Sequence, residues 1–87
     1  MECNAWHVYL VECADGTFYC GIAKDPEKRL AEHNGDLPGG ARYTRGRRPV
    51  FLLASKLCAG KGEALTLERA IKSRPRKEKL SFMQGCL

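Results

Sequence analysis

The chain has 87 residues, of which 44% are hydrophobic and 29% charged, and its formal net charge at pH 7 is +5. This length predicts one domain over residues 1–87, and the composition excludes an intrinsically disordered protein. No apolar run approaches the ~20 residues of a membrane span, and no secretory signal opens the chain, so we expect a cytoplasmic protein.

Two β-strands are predicted at the start of the chain, over residues 6–13 and 17–22, because both are rich in aromatic and β-branched side chains. The dipeptide Asp15-Gly16 between them signals a turn. Each predicted strand carries a tyrosine, Tyr9 on the first and Tyr19 on the second.

The length of this turn decides where the two tyrosines point. A two-residue loop would put Tyr9 and Tyr19 on opposite faces of the hairpin, because side chains alternate with period two. A three-residue loop over residues 14–16, with Gly16 in the left-handed conformation, puts both on one face. The sequence permits both lengths, and we predict the odd-length loop or an equivalent bulge.

A helix is predicted after Asp25, which caps its N-terminus, with Pro26 at the first helical position. It ends near Asn34, which is followed by a glycine, a usual signal for a helix C-terminus. Arg29 and His33 are four residues apart and therefore share one face of this helix.

The second half of the chain predicts one strand and two helices. Residues 35–49, rich in glycine, proline and arginine, are predicted as a loop. Residues 50–57 form an apolar run, which predicts a strand at the centre of the sheet. A helix over residues 63–73 and a short basic helix over residues 75–83 are expected to follow.

Glu68 lies on the apolar side of the helix predicted over residues 63–73. The expected buried face consists of Ala64, Leu67 and Ile71, with Leu65 at its margin, and on a helical wheel Glu68 falls between these residues. A glutamate is rarely buried unless it is paired or bound to a metal. Two interpretations stay open, namely an ion pair with an arginine, or a carboxylate ligand for a hard divalent cation.

The charge of the chain is unevenly distributed. Residues 1–34 hold three basic and six acidic side chains, whereas residues 35–87 hold twelve basic and four acidic ones. A basic second half favours a polyanionic partner, in particular nucleic acid, over a solvated basic surface without a partner.

In combination, these residues resemble the signature of the GIY-YIG nuclease superfamily, and in particular its small, stand-alone members. That signature has one strand element ending in tyrosine and a second beginning with tyrosine. An arginine follows ten residues after the second tyrosine, and a glutamate lies on a later helix. The corresponding positions here are Tyr9, Tyr19, Arg29 and Glu68, with His33 four residues after the arginine and a similar arginine-rich stretch at 40–49.

Some positions depart from the family pattern. His7 stands where the GIY motif of the family has its glycine, and Cys20 replaces the isoleucine of the YIG motif. Leu80 lies in the region where repair-type members often carry an asparagine. Most well-understood members also carry a separate DNA-binding domain. We expect none here, so a protein partner is a candidate source of DNA targeting.

The resemblance implies an α/β (α+β) fold, with a three-stranded antiparallel sheet flanked by helices. It also implies a DNA endonuclease that hydrolyses phosphodiester bonds with Mg²⁺ or Mn²⁺, either structure-selectively or non-specifically, as in DNA repair. The alternative is a catalytically weak nucleic-acid-binding module that keeps the fold.

The implied site residues can be given chemical roles. Arg29 is suited to bind the scissile phosphate, and Glu68 to hold the metal. His33 would orient a tyrosine or share the proton transfer. A tyrosine with a pKa near 10 needs a nearby cation to ionise, and the sequence leaves open which one acts as base, with Tyr19 slightly favoured.

A set of basic and aromatic side chains is expected to contact the nucleic acid. Arginines can clamp phosphates, while a tyrosine can stack on a base or pack on the scaffold. The residues are Arg42, Tyr43, Arg45, Arg47, Arg48 and Lys72. Binding through these groups would be strongly salt-dependent.

Overall fold

The computed structural model describes residues 5–39 and 42–84, without the side chains of residues 42, 43 and 84. Within these ranges the chain forms one antiparallel sheet with helices against both faces, which confirms the predicted α+β fold. The strands are β1 (Trp6–Cys13), β2 (Phe18–Ala23) and β3 (Val50–Cys58), and the helices are α1 (Pro26–His33), α2 (Arg42–Arg45), α3 (Lys61–Lys72) and α4 (Arg76–Gln84). None of the helices described is long and apolar enough to cross a membrane.

The order of the strands is β2-β1-β3, so β1 is central and β3 lies at an edge. The prediction that residues 50–57 form a central strand is wrong. The apolar run arises because β3 packs against side chains on both of its faces, Leu53 in one core cluster and Leu52 in the other. Cover on both faces does not require a neighbour on both edges, and Phe51 and Leu57 remain 56% and 62% exposed.

The hairpin between β1 and β2 has the predicted three-residue loop. The amide of Cys13 donates to the carbonyl of Thr17 at 2.8 Å, and the amide of Gly16 donates to the carbonyl of Cys13 at 2.9 Å. Gly16 has a φ of +85°, the left-handed conformation that glycine adopts without strain. The Asp15 carboxylate braces the loop by accepting from the amide of Thr17 at 3.1 Å and from its hydroxyl at 2.6 Å.

This register puts both tyrosines on one face of the sheet. Tyr9 is paired with Gly21, and Tyr19 is paired with Val11, two residues further along β1. Residues paired directly across an antiparallel ladder share a face, as do residues two apart on one strand. The prediction of an odd-length loop is therefore confirmed.

The two faces of the sheet carry different helices. One face, with Val8, Leu10 and Cys20, packs against Ala64 and Ile71 of α3 and Met83 of α4. The opposite face, with Tyr9, Val11 and Val50, packs against Leu30 of α1. The tyrosines therefore lie in the layer between the sheet and α1.

Two side chains fix the ends of α1. The carboxylate of Asp25 accepts from the amide of Lys28 at 3.2 Å, which confirms the predicted N-terminal cap. The side chain of Asn34 exchanges two hydrogen bonds with the backbone of Val50, of 2.9 and 2.6 Å. The helix that carries Arg29 and His33 is thereby tied to the start of β3.

Other predicted boundaries shift by small amounts. The predicted loop over residues 35–49 contains the one-turn helix α2, and α3 begins two residues earlier than expected, at Lys61. Within α3, Ala64 and Ile71 are buried as predicted, and Leu65 is 40% exposed.

Lys79 joins the last turn of α3 to α4. Its ammonium donates to the carbonyls of Ile71, Lys72 and Arg74 at 3.1, 3.1 and 2.7 Å. Because a cation satisfies carbonyls at the negative end of a helix dipole, Lys79→Ala should lower the free energy of unfolding by about 1–2 kcal/mol. Urea denaturation tests this, with Lys77→Ala on the exposed surface of α4 as control. Equal effects of the two changes would contradict the capping role.

Candidate active site

Three rings meet between the sheet and α1. The ring centroids of Tyr9 and Tyr19 are 6.4 Å apart, and that of His33 is 5.8 Å from Tyr9 and 5.2 Å from Tyr19. Tyr9 is 2% exposed and His33 is fully buried, whereas Tyr19 is only partly buried. The structure thus brings together three of the residues that the sequence singled out, with Tyr19 the most accessible of them.

His33 is hydrogen-bonded through both of its ring nitrogens. Its Nε2 is 2.8 Å from the Tyr9 hydroxyl, and its Nδ1 is 2.8 Å from Oγ1 of Thr44, which is also fully buried. Thr44 was missed by the sequence reasoning, because a helix of one turn leaves no periodic pattern from which burial can be inferred.

Gly21 gives the Tyr9 ring its place above β2. A Cβ at position 21 would lie 2.5 Å from the hydroxyl oxygen of Tyr9 and 2.8 Å from its Cζ. No side chain fits in that space, so the glycine of the Tyr19-Cys20-Gly21 element is required by close packing against the other tyrosine.

Arg29 is held by its neighbours and borders a cavity. One of its guanidinium nitrogens donates to Oε1 of Glu32 at 2.6 Å and to the carbonyl of Gly39 at 2.7 Å. The hydrogen bond to Glu32 raises the pKa of Arg29, which also contacts the Tyr9 hydroxyl. The adjoining cavity has a volume of about 230 Å³ and is lined by Ala23, Lys24, Asp25, Lys28, Arg29 and Glu32.

Burial keeps Tyr9 and His33 uncharged. It raises the pKa of Tyr9 to about 12, although a hydrogen bond from Arg29 acts in the opposite direction. Burial, with the charge of Arg29 as a second cause, lowers the pKa of His33 to about 4. At neutral pH the free protein therefore holds a neutral phenol against a neutral imidazole.

The low pKa of His33 predicts that acid destabilises the fold. His33 titrates near 6.5 when unfolded and near 4 when folded. Between these values the unfolded chain binds a proton that the folded protein does not, so the stability present above pH 6.5 is lost as the pH falls towards 4. The loss should approach about 3 kcal/mol. Urea denaturation across this range checks it, and the His33→Gln variant should lack this component of the pH dependence.

Glu68 lies in the helix layer on the other side of the sheet from the tyrosines. Its side chain is 18% exposed, and its carboxylate pairs with Lys72, four residues along α3, at 3.3 Å. It also lies close to Cys20, whose pKa is raised to about 12 mainly by burial and secondly by the charge of Glu68. Cys20, near which Glu68 lies, and Tyr19 are consecutive residues of the edge strand β2, and their side chains pack on opposite faces of the sheet.

Glu68 offers one carboxylate as a candidate ligand for a magnesium-type ion. Among the residues that the structure describes, no three His, Cys, Asp or Glu side chains form a group that could hold a metal. Mg²⁺ commonly uses only one or two carboxylates and completes its shell with water and substrate phosphate. A single partly exposed carboxylate is consistent with that pattern. The ammonium of Lys72 would have to leave the Glu68 carboxylate when the ion binds.

The arginines predicted to contact nucleic acid have different surroundings. Arg45 is exposed, and Arg47 pairs with Asp15 of the hairpin loop at 3.0 Å. Arg48 donates from Nε to the carbonyl of His33 at 2.7 Å, so it also secures the end of α1. The side chains of Arg42 and Tyr43 lie outside the described residues. Lys72 is 53% exposed beside Glu68.

Another arginine reaches the hairpin loop from the opposite side. Arg76, at the start of α4, donates from Nε to the carbonyl of Gly16 at 2.7 Å, and its guanidinium lies 4.4 Å from the centroid of Phe18. Both arginines at this loop are ion-paired, Arg47 with Asp15 at 3.0 Å and Arg76 with Glu12 at 3.7 Å.

Comparison with known proteins gives one consistent set of relatives. The sequence profile of the GIY-YIG catalytic domain matches residues 5–81. A UPF0213 protein of Nitratidesulfovibrio vulgaris is 49% identical over 80 residues, which cover 92% of this chain and 71% of that protein. A UPF0213 protein of Desulfotalea psychrophila is 52% identical over 68 residues, covering 78% of this chain and 61% of that protein. The solution NMR structure of the protein EF2693 from E. faecalis is 37% identical, with a TM-score of 0.64, and the match covers 93% of this chain and 84% of that one.

Proposed function

Because the chain belongs to the GIY-YIG family of nucleases, we propose that it is a divalent-metal-dependent endonuclease that hydrolyses phosphodiester bonds in DNA. The cluster of Tyr9, Tyr19 and His33, with Arg29 at its side, is the observation that carries the proposal. This arrangement combines hydroxyl groups, a buried imidazole and a phosphate-binding cation. Cleavage is structure-selective or without sequence preference, because no motif that reads base edges is present.

Tyr19 is the tyrosine that takes part in proton transfer. It is more accessible than Tyr9, and a water molecule that attacks the phosphate needs an accessible partner. Tyr9 is harder to ionise, since its pKa is raised to about 12. In this assignment Tyr9 and His33 form a neutral support that orients Arg29.

Arg29 binds the scissile phosphate. Its guanidinium is already oriented by Glu32 and the carbonyl of Gly39, so little side-chain freedom is lost when a phosphate arrives in the adjoining cavity. A planar guanidinium can also offset charge that develops on the phosphate oxygens in the transition state.

Glu68 holds the metal ion, Mg²⁺ or Mn²⁺. When bound, such an ion polarises a phosphate oxygen and stabilises the leaving oxygen. Arg45, Arg47 and Lys72 attract the DNA backbone from neighbouring surfaces, which makes binding strongly salt-dependent. Arg42, Tyr43 and Arg48 belong to the same proposed interface, and a protein partner would supply DNA targeting.

A second candidate function is a nucleic-acid-binding module with weak catalysis. It is favoured by the Lys72 ammonium, which lies 3.3 Å from the Glu68 carboxylate where a cation would bind. In this alternative, binding by the arginines persists while cleavage is slow.

A cleavage assay with branched, single-stranded and duplex DNA, in Mg²⁺ or Mn²⁺, tests the proposal. Tyr19→Phe and Glu68→Gln should each abolish cleavage and keep binding, whereas Glu78→Gln on exposed α4 should keep both. If purified wild-type protein cuts none of these substrates while Arg45→Ala and Arg47→Ala weaken binding, the second candidate is correct.

A further inference from the structure

A chain of hydrogen-bonded side chains runs through the protein from Tyr9 to Thr44, with the guanidinium of Arg29 beside the Tyr9 hydroxyl. Arg29 contacts the hydroxyl of Tyr9, Tyr9 contacts Nε2 of His33, and Nδ1 of His33 contacts Thr44. Three of these residues are at most 2% exposed, so solvent is not a substitute partner for their polar atoms.

The chemistry of the four groups sets the direction of the chain. A guanidinium has donors only, so Arg29 offers the phenol proton of Tyr9 no acceptor. The phenol proton of buried Tyr9 then needs an acceptor, and Nε2 of His33 lies 2.8 Å away. A neutral imidazole that accepts at Nε2 carries its proton at Nδ1, where the atom in reach is Oγ1 of Thr44.

We propose that Thr44 is a positioning residue that holds His33 in the Nδ1–H tautomer and thereby fixes the direction of the Tyr9 hydroxyl towards His33. With that direction set, the lone pairs of the phenol oxygen are free to orient Arg29. The structural part of this inference stands by itself, and its consequence for cleavage rests on the proposed function.

The position of Thr44 connects two parts of the proposed interface. Thr44 belongs to α2 (Arg42–Arg45), the four-residue helix that also carries two of the arginines expected to contact DNA. The same short helix therefore carries both arginines expected to contact the DNA backbone and the threonine that is hydrogen-bonded to buried His33.

Nitrogen-15 NMR of the His33 ring tests the proposal without any DNA. The wild-type spectrum should show the Nδ1–H tautomer. In Thr44→Val, which keeps the shape and removes the acceptor, Nδ1–H has no partner, so the tautomer ratio should move towards Nε2–H by at least about tenfold. Thr44→Ser restores an acceptor and should restore the wild-type ratio.

Kinetics give a second measurement if the wild-type protein cleaves DNA. Thr44→Val should lower kcat by about tenfold or more while Thr44→Ser recovers most of it, a pattern that loss of packing alone does not give. An Nε2–H tautomer in the wild type, or an unchanged tautomer ratio in Thr44→Val, overturns the inference. Absence of cleavage in the wild type overturns the proposed function instead and leaves the NMR result to decide the role of Thr44.

Discussion

Replacing Gly21 by alanine should strongly reduce cleavage and weaken the fold at the same time. The added methyl group would lie 2.5 Å from the hydroxyl oxygen of Tyr9, far inside van der Waals contact. The ring of Tyr9 cannot swing away freely, because it is 2% exposed and is bound to His33. We expect the free energy of unfolding to fall by about 1–3 kcal/mol, as is usual for overpacking. Cleavage should fall by at least ~100-fold, because the ring of Tyr9, and with it the neighbouring rings of Tyr19 and His33, would be displaced by about 1 Å.

Gly62 offers a matched control for this change. It lies on the exposed first turn of α3, and a Cβ built there meets no atom within 4 Å. Gly62→Ala should therefore leave cleavage unchanged and stabilise the protein by about 0.5–1 kcal/mol, since alanine has less conformational freedom in the unfolded chain. Urea denaturation and the cleavage assay measure both variants. Wild-type stability and activity in Gly21→Ala would show that Tyr9 is not held as described.

The hairpin could be predicted from the sequence only as far as a choice between two loop lengths. The position of the left-handed residue could be predicted, because Gly16 is the loop residue that tolerates a positive φ, and the structure has it there. The length of three was settled by the pairing of Tyr9 with Gly21, which only a packed sheet reveals. Local turn chemistry is readable in a sequence, whereas cross-strand register depends on contacts between distant residues.

The position of β3 in the sheet could not be predicted from hydrophobicity. An apolar strand is expected at the centre of a sheet covered on both faces, and β3 is indeed covered on both faces. Yet it lies at an edge, because sheet order depends on which strands pair, and β1 pairs with both of the others. The pattern of side chains reports the layers above and below a strand and not its neighbours.

The candidate site was predicted in part. Helical spacing gave the shared face of Arg29 and His33, and the helical wheel placed Glu68 on the inner side of α3. Of the two interpretations left open for Glu68, an ion pair with an arginine is not what the structure has, because the carboxylate pairs with Lys72. The pair with Lys72 could have been predicted from the sequence, since residues four apart on a helix are neighbours. The burial of Thr44 could not, because it follows from tertiary packing alone.

Arg29→Lys should lower kcat/KM for DNA by about 100- to 1,000-fold, although it conserves the charge. The guanidinium contacts Glu32, the carbonyl of Gly39 and the hydroxyl of Tyr9, and still borders the cavity. A single ammonium cannot keep this geometry and also bind a phosphate through two parallel hydrogen bonds. The arginine side chain is 27% exposed and its ion pair is partly solvated, so the free energy of unfolding should change by less than about 1 kcal/mol.

Lys28→Ala separates the shape of the cation from its charge. Lys28 is the residue before Arg29, lines the same cavity and is exposed. Its removal takes away one positive charge near the substrate, so KM should rise only a few-fold, with the effect disappearing at high salt. Arg29→Lys keeps the charge and should lose activity at every salt concentration. If the two variants show the same few-fold, salt-sensitive defect, Arg29 serves only as a general positive charge, and its proposed role at the scissile phosphate is wrong.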